Sequence, residues 1–146
     1  MATEPSVQQS KKTIEEQLAD SEDSSFITIK NVRVHYKMYC NGKPVLQLQQ
    51  QQQIAPSLAF ILLHGFGANT SSFDNIIAQL STLQLKATNN EAEPPVNSTV
   101  AIAFDRPAFG YTERKTSDYW AKDASLNPYT YDFAADVTAE LVKMLI

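Results

Sequence analysis

The chain has 146 residues, a mass of 16.3 kDa and a hydrophobic fraction of 43%, enough for one small domain or a piece of a larger one. Its 12 basic and 16 acidic residues leave a formal net charge of -4 with no long run of either sign, so it lacks the clustered cations that neutralise phosphates, which argues against nucleic acid as a partner. The glycines at 42, 65, 67 and 110 form neither GxGxxG nor GxxxxGKS/T, which argues against the common mononucleotide and dinucleotide cradles.

Residues 1–25 are rich in Ser, Gln, Glu and Lys, with only Val7, Ile14 and Leu18 as sizeable aliphatics after Met1. They are expected to be a disordered lead-in to a domain spanning 26–146. The segment lacks the basic-then-apolar order of a secretory signal, and Glu4, Glu15, Glu16, Asp20, Glu22 and Asp23 are unlike an acid-poor transit peptide. A cytoplasmic location is the default expectation, and a chloroplast location stays open.

From Phe26 the pattern changes to a period of two. Val32, Val34, Tyr36 and Met38 alternate with Arg33, His35, Lys37 and Tyr39, as a strand with one buried face requires. Residues 26–29 read as its hairpin partner across a Lys30-Asn31 turn, and His35 falls on the polar face as a surface residue. Asn41-Gly42 is a second turn signal. It is followed by the apolar residues Val45, Leu46 and Leu48 and by the glutamine run 49–53, which reads as a mobile surface insertion. Cys40, the single cysteine, allows no internal disulfide and no Cys-rich zinc site.

Residues 58–63 are continuously apolar, as in a strand covered on both faces. A glycine loop follows, and then Phe73, Ile76, Ile77, Leu80 and Leu83 at helical spacing, with Ser71 and Asp74 as the start signal. Residues 86–98 read as a polar, mobile loop, and 99–104 as a second buried strand. A polar connection over 110–128 leads to a helix over 131–146. Phe133, Val137, Leu141, Met144 and Leu145 mark its apolar face, Thr130 is its cap, and Asp132 faces the positive end of its dipole. No window approaches 18 consecutive apolar residues, so no transmembrane segment is expected.

An opening hairpin followed by two strand–helix units predicts an α/β sheet with mixed strand directions. Ligands of open α/β sheets bind beyond the carboxyl ends of the strands, which directs attention to loops 64–70 and 105–110. The run Leu62-Leu63-His64-Gly65-Phe66-Gly67 resembles the oxyanion-hole loop of α/β-hydrolases. Phe104-Asp105-Arg106-Pro107-Ala108-Phe109-Gly110 resembles the loop after the next strand of that fold. With Asn127-Pro128-Tyr129 before a helix, the chain is similar to a plant and cyanobacterial group of the AB hydrolase-1 type, over residues 26–146.

The resemblance implies the amino-terminal part of an α/β-hydrolase sheet, from a serine-type enzyme acting on a small-molecule ester, thioester or lipid acyl substrate. Phe66 would supply a backbone oxyanion donor, with Gly65 and Gly67 letting the loop turn. His64 would be a scaffold residue of that loop. Asp105, Arg106 and Gly110 would organise the second loop, Asp105 by holding backbone N–H groups and Arg106 by pairing with a carboxylate. The family commonly has glycine where Ala108 stands, although the plant-like group also has alanine. No G-x-S-x-G occurs in the 146 residues, so no nucleophile is assigned and the chain is expected to be an inactive fragment, its strand 58–63 at or near an open sheet edge. The alternative is a non-enzymatic binding or assembly module. His35 and His64 are the only histidines, too few for a histidine-rich metal site. Neither metal nor cofactor is implied, and the oligomeric state is undetermined.

Overall fold

The computed structural model describes residues 22–46, 55–84 and 98–146. The expectations of mobility for the lead-in, the glutamine run and the polar loop over 86–98 fall almost wholly outside those residues. The described part is an α/β arrangement with a mixed sheet flanked by two helices.

Strands β1 (Ser25–Ile29) and β2 (Val32–Cys40) form an antiparallel hairpin that brings Phe26 opposite His35. Lys30 and Asn31 both take positive φ, 47° and 56°, the geometry of a two-residue turn whose twist matches its strands. Asn41 and Gly42 repeat it, at 49° and 81°, before the short β3 (Lys43–Pro44) pairs back on β2. Strands β4 (Leu58–Leu63) and β5 (Thr99–Phe104) pair in parallel, and β5 pairs antiparallel with β2, so the order is β1-β2-β5-β4.

The two helices lie on opposite faces. Helix α1 (Ile77–Leu80) packs Ile77 on Ala101 and Ala103 of β5, with Phe60, Leu62 and Phe73 around them. Helix α2 (Tyr131–Leu145) buries Phe133, Val137, Leu141 and Leu145 against Val34, Tyr36, Val100, Ile102 and Phe104. Covered on both sides and paired along both edges, β5 is buried throughout. Each fully buried side chain of this kind contributes roughly 1.5–3 kcal/mol.

Three expectations are corrected. Strand β4 is only half-buried along its length, with Leu63 57% exposed, because β5 is its one neighbour among the described residues. The helix after β4 is shortened to a 3-10 turn (Thr70–Phe73) and a single α-turn. Its start is set by Asn69, whose side chain accepts from the Ser71 amide at 2.9 Å. Asp74 is drawn away to the Lys37 ammonium at 2.7 Å. In α2, the Thr130 hydroxyl accepts from the Phe133 amide and Asp132 lies in the first turn. Met144, however, falls on the flank of the buried stripe and is 53% exposed.

Candidate functional site

Strands β4 and β5 are adjacent and parallel, yet the chain leaves them toward helices on opposite faces of the sheet. Such a divergence opens a crevice at the carboxyl ends of the two strands. Loops 64–70 and 105–110 are its walls.

His64 links the two walls. Its Nε2 accepts from the Arg106 amide at 3.0 Å, and its Nδ1 lies 2.9 Å from the Gly65 carbonyl. A backbone N–H can only donate and a carbonyl can only accept, so the ring is neutral with its proton on Nδ1. Both ring nitrogens are thereby occupied. The 5% exposed imidazole is a brace between the loops, and Phe109 meets it edge-on at 5.6 Å.

Asp105 is the second brace, fully buried. Its Oδ1 accepts from the Thr70 amide at 2.7 Å, and its Oδ2 accepts from the Tyr111 amide at 2.8 Å and lies 2.9 Å from His35 Nδ1. Burial pushes the carboxyl upward, but the His35 hydrogen bond and the Tyr111 and Thr70 amides together hold it below its ordinary value of 3.8. The carboxyl packs beneath Gly110, whose φ is +50° and where a Cβ would stand 2.2 Å from Asp105 Cγ and Oδ2. Glycine at 110 is thus required by both conformation and space.

His35 corrects the reading of a surface residue. It does leave β2 on the side opposite Val34 and Tyr36, but that side is covered and the residue is fully buried. Thr70 and Asp105 reach its Nδ1, Ser24 lies 3.1 Å from its Nε2, and the rings of Phe26 and Tyr111 flank it. The Thr112 hydroxyl completes the cluster, accepting from the His35 amide and donating to the Asp105 carbonyl at 2.6 Å. Thr70, Tyr111 and Thr112 carried no signal in the sequence, since a Thr or Tyr in a loop is ordinarily solvated.

Residues 65–68 form a tight turn closed by the Ala68 amide on the Gly65 carbonyl at 3.3 Å. Gly67 takes φ +73°, so the conformational demand for glycine falls there. Gly65 is outside the positive-φ set, and a Cβ on it would meet nothing within 4 Å. Neither the Phe66 nor the Gly67 amide has a hydrogen-bond partner among the described residues. The Phe66 ring is 94% exposed.

Arg106 follows Asp105 in the second loop. No carboxylate pairs with it among the described residues. Its guanidinium carbon lies 4.7 Å from the centre of the Phe109 ring, and its buried Nε has no partner there. Phe109 separates two open clefts. One, of about 360 Å³, is lined by Gly67, Ala68, Asn69, Gly110, Tyr111 and Arg114. The other, of about 290 Å³, is lined by Phe66, Arg106, Pro107 and residues 128–131. Among the described residues no cluster of three or more His, Cys, Asp or Glu side chains could hold a metal, and no helix is long and apolar enough to cross a membrane. No family model, curated protein or solved structure matches the chain.

Proposed function

We propose that the chain supplies the oxyanion-loop half of a serine-type α/β-hydrolase acting on an ester, thioester or lipid acyl substrate. One observation carries this reading: a braced turn at the carboxyl ends of parallel strands holds Phe66 and Gly67, whose amides have no partner among the described residues, each residue lining one of the two clefts beside Phe109. Attack on an acyl carbonyl builds negative charge on oxygen, and preorganised amides stabilise it best when they need not reorganise. His64 and Asp105 provide that rigidity by tying loop 64–70 to loop 105–110. Phe66 is the donor the resemblance designates. Such an enzyme also needs an elbow serine, a catalytic histidine and a second donor, to none of which the resemblance assigns a residue of this chain.

The test is to sequence the transcript past Ile146 and to assay its whole product on short-chain p-nitrophenyl esters. The reading expects an apolar strand leading into G-x-S-x-G within about 20 residues, in the strand–elbow arrangement of this fold. It also expects Gly67→Val, which cannot hold the positive φ, to lower kcat by about 100-fold or more. A reading frame without an elbow, or turnover indifferent to Gly67→Val, would refute it. The exposed aromatic rings of Phe66 and Tyr131 favour the second reading, a binding module, in that refuted case.

A further inference from the structure

We infer that the cleft walled by Phe66, Arg106, Phe109, Pro128, Tyr129 and Tyr131 is a binding site for a monocarboxylate with an apolar or aromatic body. This goes beyond the acyl-hydrolase reading and stands whether or not chemistry occurs beside it. The argument begins with Arg106. A guanidinium offers five N–H donors in a rigid plane that matches a carboxylate. Here one donor, Nε, is buried without a partner among the described residues, and the plane's position is held by the Phe109 ring beneath it. Buried donors are rarely left unsatisfied in folded proteins, and among the described residues no acidic side chain lines this cleft to satisfy it.

The rest of the lining selects the ligand's body. Phe66 and Phe109 meet edge to face at 6.1 Å, and Tyr129 and Tyr131, both largely exposed, line the same cleft. Aromatic walls of this kind hold a ring or short alkyl chain and leave the polar end to the arginine. A single lining cation suits a monoanion, whereas a phosphate dianion calls for more positive charge than Arg106 provides. The cleft, at about 290 Å³, is at the small end of ligand pockets. Phenylacetate is a probe of suitable size and shape.

The experiment is a titration of the 15N-labelled chain with sodium phenylacetate, phenylacetamide and inorganic phosphate, followed by amide chemical shifts. Phenylacetate is expected to cause saturable shifts at Phe66, Phe109, Tyr129 and Tyr131. Phenylacetamide, of the same shape without the charge, should bind at least about tenfold more weakly, the ratio expected for one charge-assisted hydrogen bond. Arg106→Met should bring phenylacetate down to the level of the amide, with Arg106→Lys in between because it keeps the charge but not the fork. The proposal is overturned if acid and amide bind equally to the unaltered chain, or if phosphate shifts the same amides as strongly as phenylacetate. Saturable shifts confined to other residues, or none at millimolar phenylacetate, would overturn it as well. Those comparisons need no substitution, so a variant that fails to fold leaves the test intact.

Discussion

Replacing Asp105 by asparagine keeps the shape of the side chain, removes its charge and turns one acceptor into a donor. The carboxylate meets three donors, the Thr70 amide at 2.7 Å, the Tyr111 amide at 2.8 Å and His35 Nδ1 at 2.9 Å. An asparagine oxygen in the Oδ2 position still serves Tyr111 and His35, but its NH2 then faces the Thr70 N–H, donor against donor. The reverse orientation opposes the Tyr111 amide instead. At least one charge-assisted bond is therefore lost and one fully buried N–H is stranded, together about 3 kcal/mol. That is a large share of a typical net stability of about 5–15 kcal/mol. Urea unfolding followed by far-UV circular dichroism measures it.

The pH dependence supplies an independent check. Because folding holds the Asp105 carboxyl below 3.8, the unfolded chain takes up this proton more readily. The stability contributed by Asp105 is complete above the ordinary value and is lost as pH falls through the folded one. The gap between the parent chain and Asp105→Asn should therefore narrow on going from about pH 5 to about pH 2.5. A difference below about 0.5 kcal/mol at neutral pH, the range of unremarkable surface substitutions, would refute the view of Asp105 as the brace of the site. A gap unchanged across the acid range would do the same.

Other substitutions separate the remaining causes. Gly110→Ala drives a methyl to within 2.2 Å of the Asp105 carboxyl and should cost about 3 kcal/mol or more in urea unfolding, whereas Gly67→Ala enters open space and should cost only the positive-φ strain of about 1 kcal/mol. Equal losses for the two would show that packing on Asp105 is not the constraint. Ala108 holds φ +70°, where glycine is at home, so Ala108→Gly should leave thermal stability unchanged or higher. Ala135→Gly on the exposed face of α2 should lower it by about 1 kcal/mol. The half-buried strand β4 has β5 as its one neighbour among the described residues and can offer its other side to a second chain. Leu63→Lys, at a 57% exposed position, should reduce concentration-dependent self-association in sedimentation velocity with little change in stability, and unchanged association would clear β4 of that role.

The chain's local rules were legible before any coordinates. The two-residue turns at Lys30-Asn31 and Asn41-Gly42, the apolar run over 99–104 and the stripe Phe133, Val137, Leu141 and Leu145 each depend on neighbours within a turn or a strand. Backbone sterics and the periods of helix and strand determine such features locally. The two loops were also placed at the carboxyl ends of their strands, and the glycine at 110 was singled out among them. What the sequence could not decide is what covers each surface. A period of two tells which side of β2 His35 leaves from, yet its cover comes from Thr70, 35 residues later, and from Asp105, 70 residues later. The same holds for His64, whose Nε2 accepts from the Arg106 amide 42 residues later. Burial and hydrogen-bond satisfaction belong to pairs of distant segments, and only the tertiary structure brings those segments together.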